Sequence, residues 1–115
     1  MAAVITPAMS AVYKPRTSSE DVYTRLRDWA GDAAILLVEG DLDGPGTKVE
    51  IWREKVGGNP LALERADIAS VVTDDPVSIN IPVWPRRDIA LLANRILHEA
   101  TPFKVDDETS LTCPF

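Results

Sequence analysis

Residues 33–40 read Ala33-Ala34-Ile35-Leu36-Leu37-Val38-Glu39-Gly40, six apolar residues without a break and then an acid and a glycine. A continuous apolar run of this length predicts a central strand buried on both faces, as parallel sheets contain. The flanking segments extend the pattern. Lys48–Arg53 alternates, with Val49 and Ile51 on one side and Lys48 and Glu50 on the other, and predicts a strand. Ile68–Thr73 is another apolar run, closed by Asp74-Asp75-Pro76, and Ile79–Trp84 is a shorter strand. Gly44-Pro45-Gly46 and Val56–Pro60 mark turns between them. Upstream, Ala2–Ile5 and Met9–Tyr13 predict one or two short strands joined by Thr6-Pro7-Ala8. Val22, Leu26 and Trp29 recur at spacings of four and three, which predicts a helix over 19–30. Ser18 or Ser19 would cap it, Glu20 and Asp21 would favour its dipole, and Gly31 would end it. A second helix is expected over Arg86–Glu99, with Ile89, Leu92, Ala93, Ile96 and Leu97 along its apolar face.

Strands alternating with two helices predict an α/β, three-layer fold with a mostly parallel sheet and flanking helices. Two helices are few for covering both faces of five or six strands, so either the sheet is partly exposed or another chain covers it. Residues 1–100 are expected to form the domain. Residues 101–115, with two prolines and the run Asp106-Asp107-Glu108, read as an acidic C-terminal tail.

Composition narrows the functional classes. At 115 residues, 45% hydrophobic and 26% charged, the chain has the balance of one ordinary globular domain. Twelve basic and eighteen acidic residues leave a net charge of −6, which opposes general nucleic-acid binding. No apolar run is long enough to cross a bilayer, and Met1–Ser10 lacks the charged start of a signal peptide, so a cytoplasmic protein is expected. The single cysteine, Cys113, cannot form an internal disulfide, and one histidine argues against a His-based metal site.

Glu39 is the leading candidate for chemistry. It is expected at the carboxyl end of the most apolar strand, where ligands of open α/β sheets bind, and a carboxylate there can hold Mg²⁺. Its alternative is an ordinary solvent-facing acid. Asp74 and Asp75 end another apolar run and could accept hydrogen bonds from a base or sugar, but Asp before Pro also starts turns, the reading favoured here. Arg86 and Arg87 are placed in the first turn of the last helix, the electrostatically unfavourable end for cations, and could meet an anion or an acidic patch. His98 suits the far end of that helix. Gly44-Pro45-Gly46-Thr47-Lys48 precedes a strand and lacks a Gly-Lys pair, so no phosphate loop is present. Trp29, Trp52 and Trp84 are expected to pack a core or a subunit contact.

The ordered segments carry a family resemblance. Ala33–Gly40 followed by Lys48-Val49-Glu50-Ile51-Trp52-Arg53 resembles the "LILVEG" and "KIEVxR" strands of the molybdopterin-guanine dinucleotide biosynthesis protein B (MobB) family. Gly58-Asn59-Pro60-Leu61 is similar to its "G-x-P-L" segment, and Ile68–Asp74 to its "IxAVxTD" strand. Ile81-Pro82-Val83 and the helix from Asp88 resemble its last strand and helix. The resemblance covers residues 2–100 and is most specific over 33–98. It implies a truncated P-loop NTPase-like fold and an accessory role in making the dinucleotide form of the molybdenum cofactor, usually as a dimer. By motif it implies that Glu39 lies near Mg²⁺, that Gly40 lets the backbone pass the phosphates of GTP, and that Thr73 and Asp74 lie near the guanine.

Two departures shape the expected function. The family's first strand, phosphate loop and first helix have no counterpart, and Asp41-Leu42 stand where the family often has an aromatic residue and a lysine. Little remains to neutralise a triphosphate, so GTP hydrolysis by this chain alone is not expected. The expectation is a MobB-like accessory protein that binds a partner, either the molybdenum cofactor guanylyltransferase or a P-loop-bearing chain, and shares a Mg²⁺–GTP site with it. Homodimerisation would cover the sheet edge that the missing segment leaves. The alternative is a degenerate, non-nucleotide interaction domain that keeps the fold.

Overall fold

The computed structural model describes residues 1–16, 22–33 and 35–102. The chain forms two compact units, Met1–Leu36 and Leu37–Phe115.

In the first unit, strands β1 (Ala2–Ile5) and β2 (Ser10–Tyr13) pair antiparallel, Ala2 opposite Tyr13 and Ile5 opposite Ser10. Their turn closes through Thr6, whose N–H donates to the Met9 carbonyl at 2.8 Å and whose Oγ1 accepts from the Met9 N–H at 3.0 Å. Helix α1 (Val22–Ala30) follows, and Val22 and Leu26 are half-buried on it. Gly31 ends α1 as expected, in the left-handed region at φ 53°, with its N–H on the Arg27 carbonyl. The expected capping residues, Ser18, Ser19, Glu20 and Asp21, lie outside the described residues, as does Cys113. Trp29 does not pack a core here; it is 71% exposed.

The second unit is built on a parallel sheet. Strands β3 (Lys48–Ile51), β4 (Ile68–Val72) and β5 (Val83–Trp84) lie in the order β3-β4-β5, and both pairings are parallel. This is the mixed α/β arrangement that the alternating segments predict. Central β4 carries the core. Ile68, Val71 and Val72 are buried on it, Trp84 joins them from β5, and Val71 is wholly excluded from solvent. Cross-strand rows place Glu50, Val71 and Val83 side by side, then Ile51, Val72 and Trp84 on the opposite face. Two single-turn 3₁₀ helices, Glu54–Val56 and Leu61–Leu63, occupy the β3–β4 connection. Glu50 fixes the second of these. Its Oε1 accepts from the Leu61 N–H at 2.7 Å and its Oε2 from the Ala62 N–H at 2.8 Å, satisfying two donors at the start of the turn.

Helix α2 (Ile89–Glu99) closes the unit. Asp88 caps it by accepting the Leu91 N–H at 3.0 Å. Its beginning is tied beyond the end of β4 by the Arg86 N–H on Asp74 Oδ1. Its last turn is tied ahead of β3 by Thr47 Oγ1, which donates to the Glu99 carbonyl at 2.7 Å. The helix therefore returns antiparallel to the strands, as a β-to-α step in a parallel sheet requires. Of the expected apolar face, Leu92 and Ile96 are half-buried while Ile89 and Leu97 are exposed.

The apolar run that opened the sequence reading behaves differently. Residues 33 and 35–38 form no strand, Leu37 is 72% exposed and Val38 46%. A strand exists only where a neighbour takes its backbone groups, and none of β3, β4 and β5 pairs with these residues. The predicted central strand is thus corrected: the described residues of this run are not part of the sheet. Two smaller differences accompany this one. The strand expected over Ile79–Trp84 shrinks to its last two residues, and the last helix starts after its Asp88 cap rather than at Arg86.

Ser70, on central β4, is buried with its Oγ lacking a hydrogen-bond partner among the described residues. An unmatched buried polar atom costs roughly 1–3 kcal/mol. Ser70→Ala is expected to raise the stability of the fold by about 1 kcal/mol, most of that penalty offset by a small void. Urea unfolding of the two proteins measures it, and a clear loss of stability in the variant would show that the hydroxyl has a partner.

Candidate functional site

Ligands of parallel sheets collect where the strands end. In this sheet that edge is made by Trp52 after β3, Thr73-Asp74-Asp75-Pro76 after β4, and Pro85-Arg86-Arg87 after β5. Thr73 is buried. Its N–H donates to the Trp84 carbonyl at 3.0 Å, and its Oγ1 accepts the Asp75 N–H at 3.1 Å. This folds the Asp74-Asp75 pair into the turn that the sequence favoured. The two carboxylates then diverge. Asp74 reaches toward β5: Oδ1 accepts the Arg86 N–H at 2.8 Å, and Oδ2 lies 3.7 Å from Arg86 Nε and 3.4 Å from Arg87 Nε. Asp75 reaches toward β3, where Oδ2 accepts the Glu54 N–H at 2.9 Å.

Arg86 and Arg87 therefore precede the helix and face an acid, which removes the unfavourable meeting of cations with a helix start. His98 does lie in the last turn of α2, where a positive charge suits the dipole.

Beside this edge lies an open cleft of about 500 Å³. The Trp52 indole, Pro60 and Pro76 supply apolar walls, and Glu54, Asn59 and Ser78 supply polar groups. Trp52 is held at both ends: its backbone N–H donates to the Val72 carbonyl at 3.1 Å and its Nε1–H to the Gly58 carbonyl at 3.3 Å. The latter contact depends on Gly57 and Gly58, both at positive φ (87° and 73°), which a side-chain-bearing residue adopts only with strain. The sequence reading missed this cleft. Its available signals were the tryptophan ending a strand and two prolines following Asn59 and Asp75.

Glu39 and Gly40 follow the apolar run and belong to no strand. Both are exposed, and Gly40 and Asp41 turn the chain with φ of 80° and 41°. The loop that follows is anchored at the opposite edge of the sheet, where the strands begin. Arg65 Nη1 binds Asp43 Oδ1 at 2.9 Å, Arg65 Nη2 binds Asp67 Oδ2 at 2.7 Å, and Lys48 Nζ donates to the Gly44 carbonyl at 2.8 Å. No hydrogen bond or ion pair joins Glu39 or Gly40 to Thr73 or Asp74. Thr73 and Asp74 thus share the turn that closes β4, while Glu39 and Gly40 make no direct polar contact with either. Among the described residues there is no group of three side chains suited to a metal ion, and no helix is long and apolar enough to cross a membrane.

Comparison with known proteins identifies no relative: no family model matches the chain, no curated protein matches it, and no solved structure does.

The Arg65–Asp67 pair carries a pH signature. Hydrogen bonds from the Arg65 guanidinium hold the Asp67 carboxyl at about 2, down from 3.8, and raise the Arg65 pKa in turn. A carboxyl depressed in the folded state stabilises the fold above its unfolded pKa and loses that contribution as pH falls through the folded value. The urea midpoint of the native chain should therefore fall more steeply between pH 4 and 2 than that of Asp67→Asn. Parallel pH profiles would show that the pair adds nothing to stability.

Proposed function

We propose that this chain is a MobB-like accessory protein of molybdenum-cofactor biosynthesis, acting by binding a partner in the assembly of molybdopterin-guanine dinucleotide. The observation that carries the reading is the order of the resembling segments in space. Lys48–Ile51, Ile68–Val72 and the strand after Ile81-Pro82 are neighbours in one parallel sheet, and the helix from Asp88 follows the last. A truncated P-loop NTPase-like fold has this local order. The exposed Leu37-Val38-Glu39-Gly40 segment fits the same reading. In it, a strand and phosphate loop from the guanylyltransferase, another P-loop-bearing chain or a second copy supply the pairing that this chain lacks. Glu39 and Gly40 then contribute to a shared Mg²⁺–GTP site, with Glu39 near the metal and Thr73 and Asp74 near the guanine. The chain by itself is not a competent GTPase in this reading, and the setting is cytoplasmic.

A specific observation favours a second reading, a non-nucleotide interaction domain. Asp74 is engaged by Arg86 and Arg87, and Asp75 by the Glu54 N–H, so both acids have structural employment without any ligand.

Fluorescent-GTP titration separates the two. With the guanylyltransferase present, guanine-selective, Mg²⁺-dependent binding is expected, weakened by about tenfold in Glu39→Ala, the effect of one lost interaction of about 1.4 kcal/mol. Unchanged affinity in that variant would remove Glu39 from the site. A flat titration, together with a melting temperature that Mg²⁺–GTP does not move, would transfer the function to the second reading, since a ligand of the folded state must raise it.

A further inference from the structure

The cleft beside Trp52 takes no part in the proposed nucleotide site, and its chemistry is one-sided. Glu54, Asn59 and Ser78 are among its lining residues, and none of their side chains has a partner among the described residues. Trp52 has already spent its only side-chain donor on the Gly58 carbonyl, so the indole has no N–H left for a ligand and can offer only its π system. No lysine, arginine or histidine is among the lining residues. Asp75, which is not a lining residue, accepts the Glu54 N–H at 2.9 Å. An anion would find no cationic side chain among the lining residues and would meet the Glu54 acid. A purely apolar group would strip water from Glu54 without replacing it.

We propose that this cleft is a binding site for a guanidinium group, carried by an arginine of a partner protein or by a small guanidine. A guanidinium is planar and stacks on an indole face, and its fork of N–H donors matches a carboxylate in two parallel bonds. The cleft presents both features two residues apart, on Trp52 and Glu54. Asn59 and Ser78 supply further acceptors for the remaining N–H groups, and the ring walls of Pro60 and Pro76 accommodate the methylene stem. The volume of about 500 Å³ is ample for such a side chain. Pre-organisation favours the assignment as well. The indole is anchored at both ends and the Glu54 backbone is pinned by Asp75, so the ordering that binding requires falls mainly on the Glu54 side chain.

The test follows the three indole N–H resonances of the full chain by NMR while an acetylated, amidated Gly-Arg-Gly peptide is added, with the citrulline peptide and agmatine in parallel titrations. Citrulline keeps the shape of arginine and removes its charge. A saturable shift of the Trp52 resonance is expected with the arginine peptide, with Trp29 and Trp84 unmoved, and affinity for the citrulline peptide should be at least about tenfold lower. Glu54→Gln should weaken arginine binding by a similar factor while leaving the rest of the spectrum in place, which confirms that the variant is folded. Tighter binding of the peptide than of agmatine assigns the site to a protein-borne arginine, and the reverse order assigns it to a small guanidine. Equal binding of arginine and citrulline, an unaffected Glu54→Gln variant, or no saturable shift at Trp52 would each overturn the proposal. None of these outcomes depends on GTP, so the result stands apart from that of the nucleotide titration.

Discussion

The second unit depends on β4 being hydrogen-bonded along both edges. Its carbonyl at Val72 accepts from Trp52 on one side, while the N–H groups of Val71 and Thr73 donate to Pro82 and Trp84 on the other. A strand paired on both sides can lose its water completely, because its backbone donors and acceptors are satisfied within the sheet. That is why Val71 is wholly buried, why Ile68 and Val72 follow it, and why the polar Ser70 and Thr73 are drawn inside with them. β3 and β5 are edge strands, and their exposed Ile51 and Val83 show how quickly burial falls away from the centre.

Once β4 is in place, carboxylates organise what surrounds it, each by accepting backbone N–H groups. Glu50 holds the turn at Leu61 and Ala62, Asp75 holds the start of the turn at Glu54, Asp74 holds the approach to the last helix at Arg86, and Asp88 caps that helix. Charge-assisted bonds of this kind are stronger than neutral ones and fix direction as well as distance. The Asp74-Asp75 pair acts as a divider. One acid pulls the β5 side into place and its neighbour pulls the β3 side, and the Trp52 cleft borders the second of these. An acidic chain thus uses several of its carboxylates as internal ties.

Parts of this were legible along the chain. Lys48–Ile51 and Ile68–Val72 were readable as strands because their β-branched residues are bounded by turn residues on both sides. The turn at Asp74-Asp75-Pro76 was readable from local chemistry, and so was the glycine that ends α1. Ala33–Val38 was misread for a physical reason. An apolar run states that a segment could be buried between strands, but whether neighbours exist is a property of the sheet and not of the run. Arg86 and Arg87 precede the helix rather than forming its first turn because the Asp88 side chain takes the Leu91 N–H and fixes the start at Ile89, where the apolar periodicity also begins. Glu39, the leading candidate of the sequence, and Thr73 each lie at the end of an apolar run. Only the run before Thr73 formed a strand, so only Thr73 stands at a strand end.

By itself the sequence determined the alternation of short apolar segments with two amphipathic stretches, hence the α/β character, and the acidic balance that disfavours polyanions. It also determined the local punctuation, since glycine conformational freedom and aspartate capping act over a few residues. Tertiary structure decided which apolar segments became strands, and which candidate acids stand at a strand end. It also decided that Trp52, Glu54 and Ser78 border a single cleft. Those outcomes depend on pairing and packing between residues far apart along the chain. A backbone donor or an indole face acquires its role only when its partner has been brought beside it.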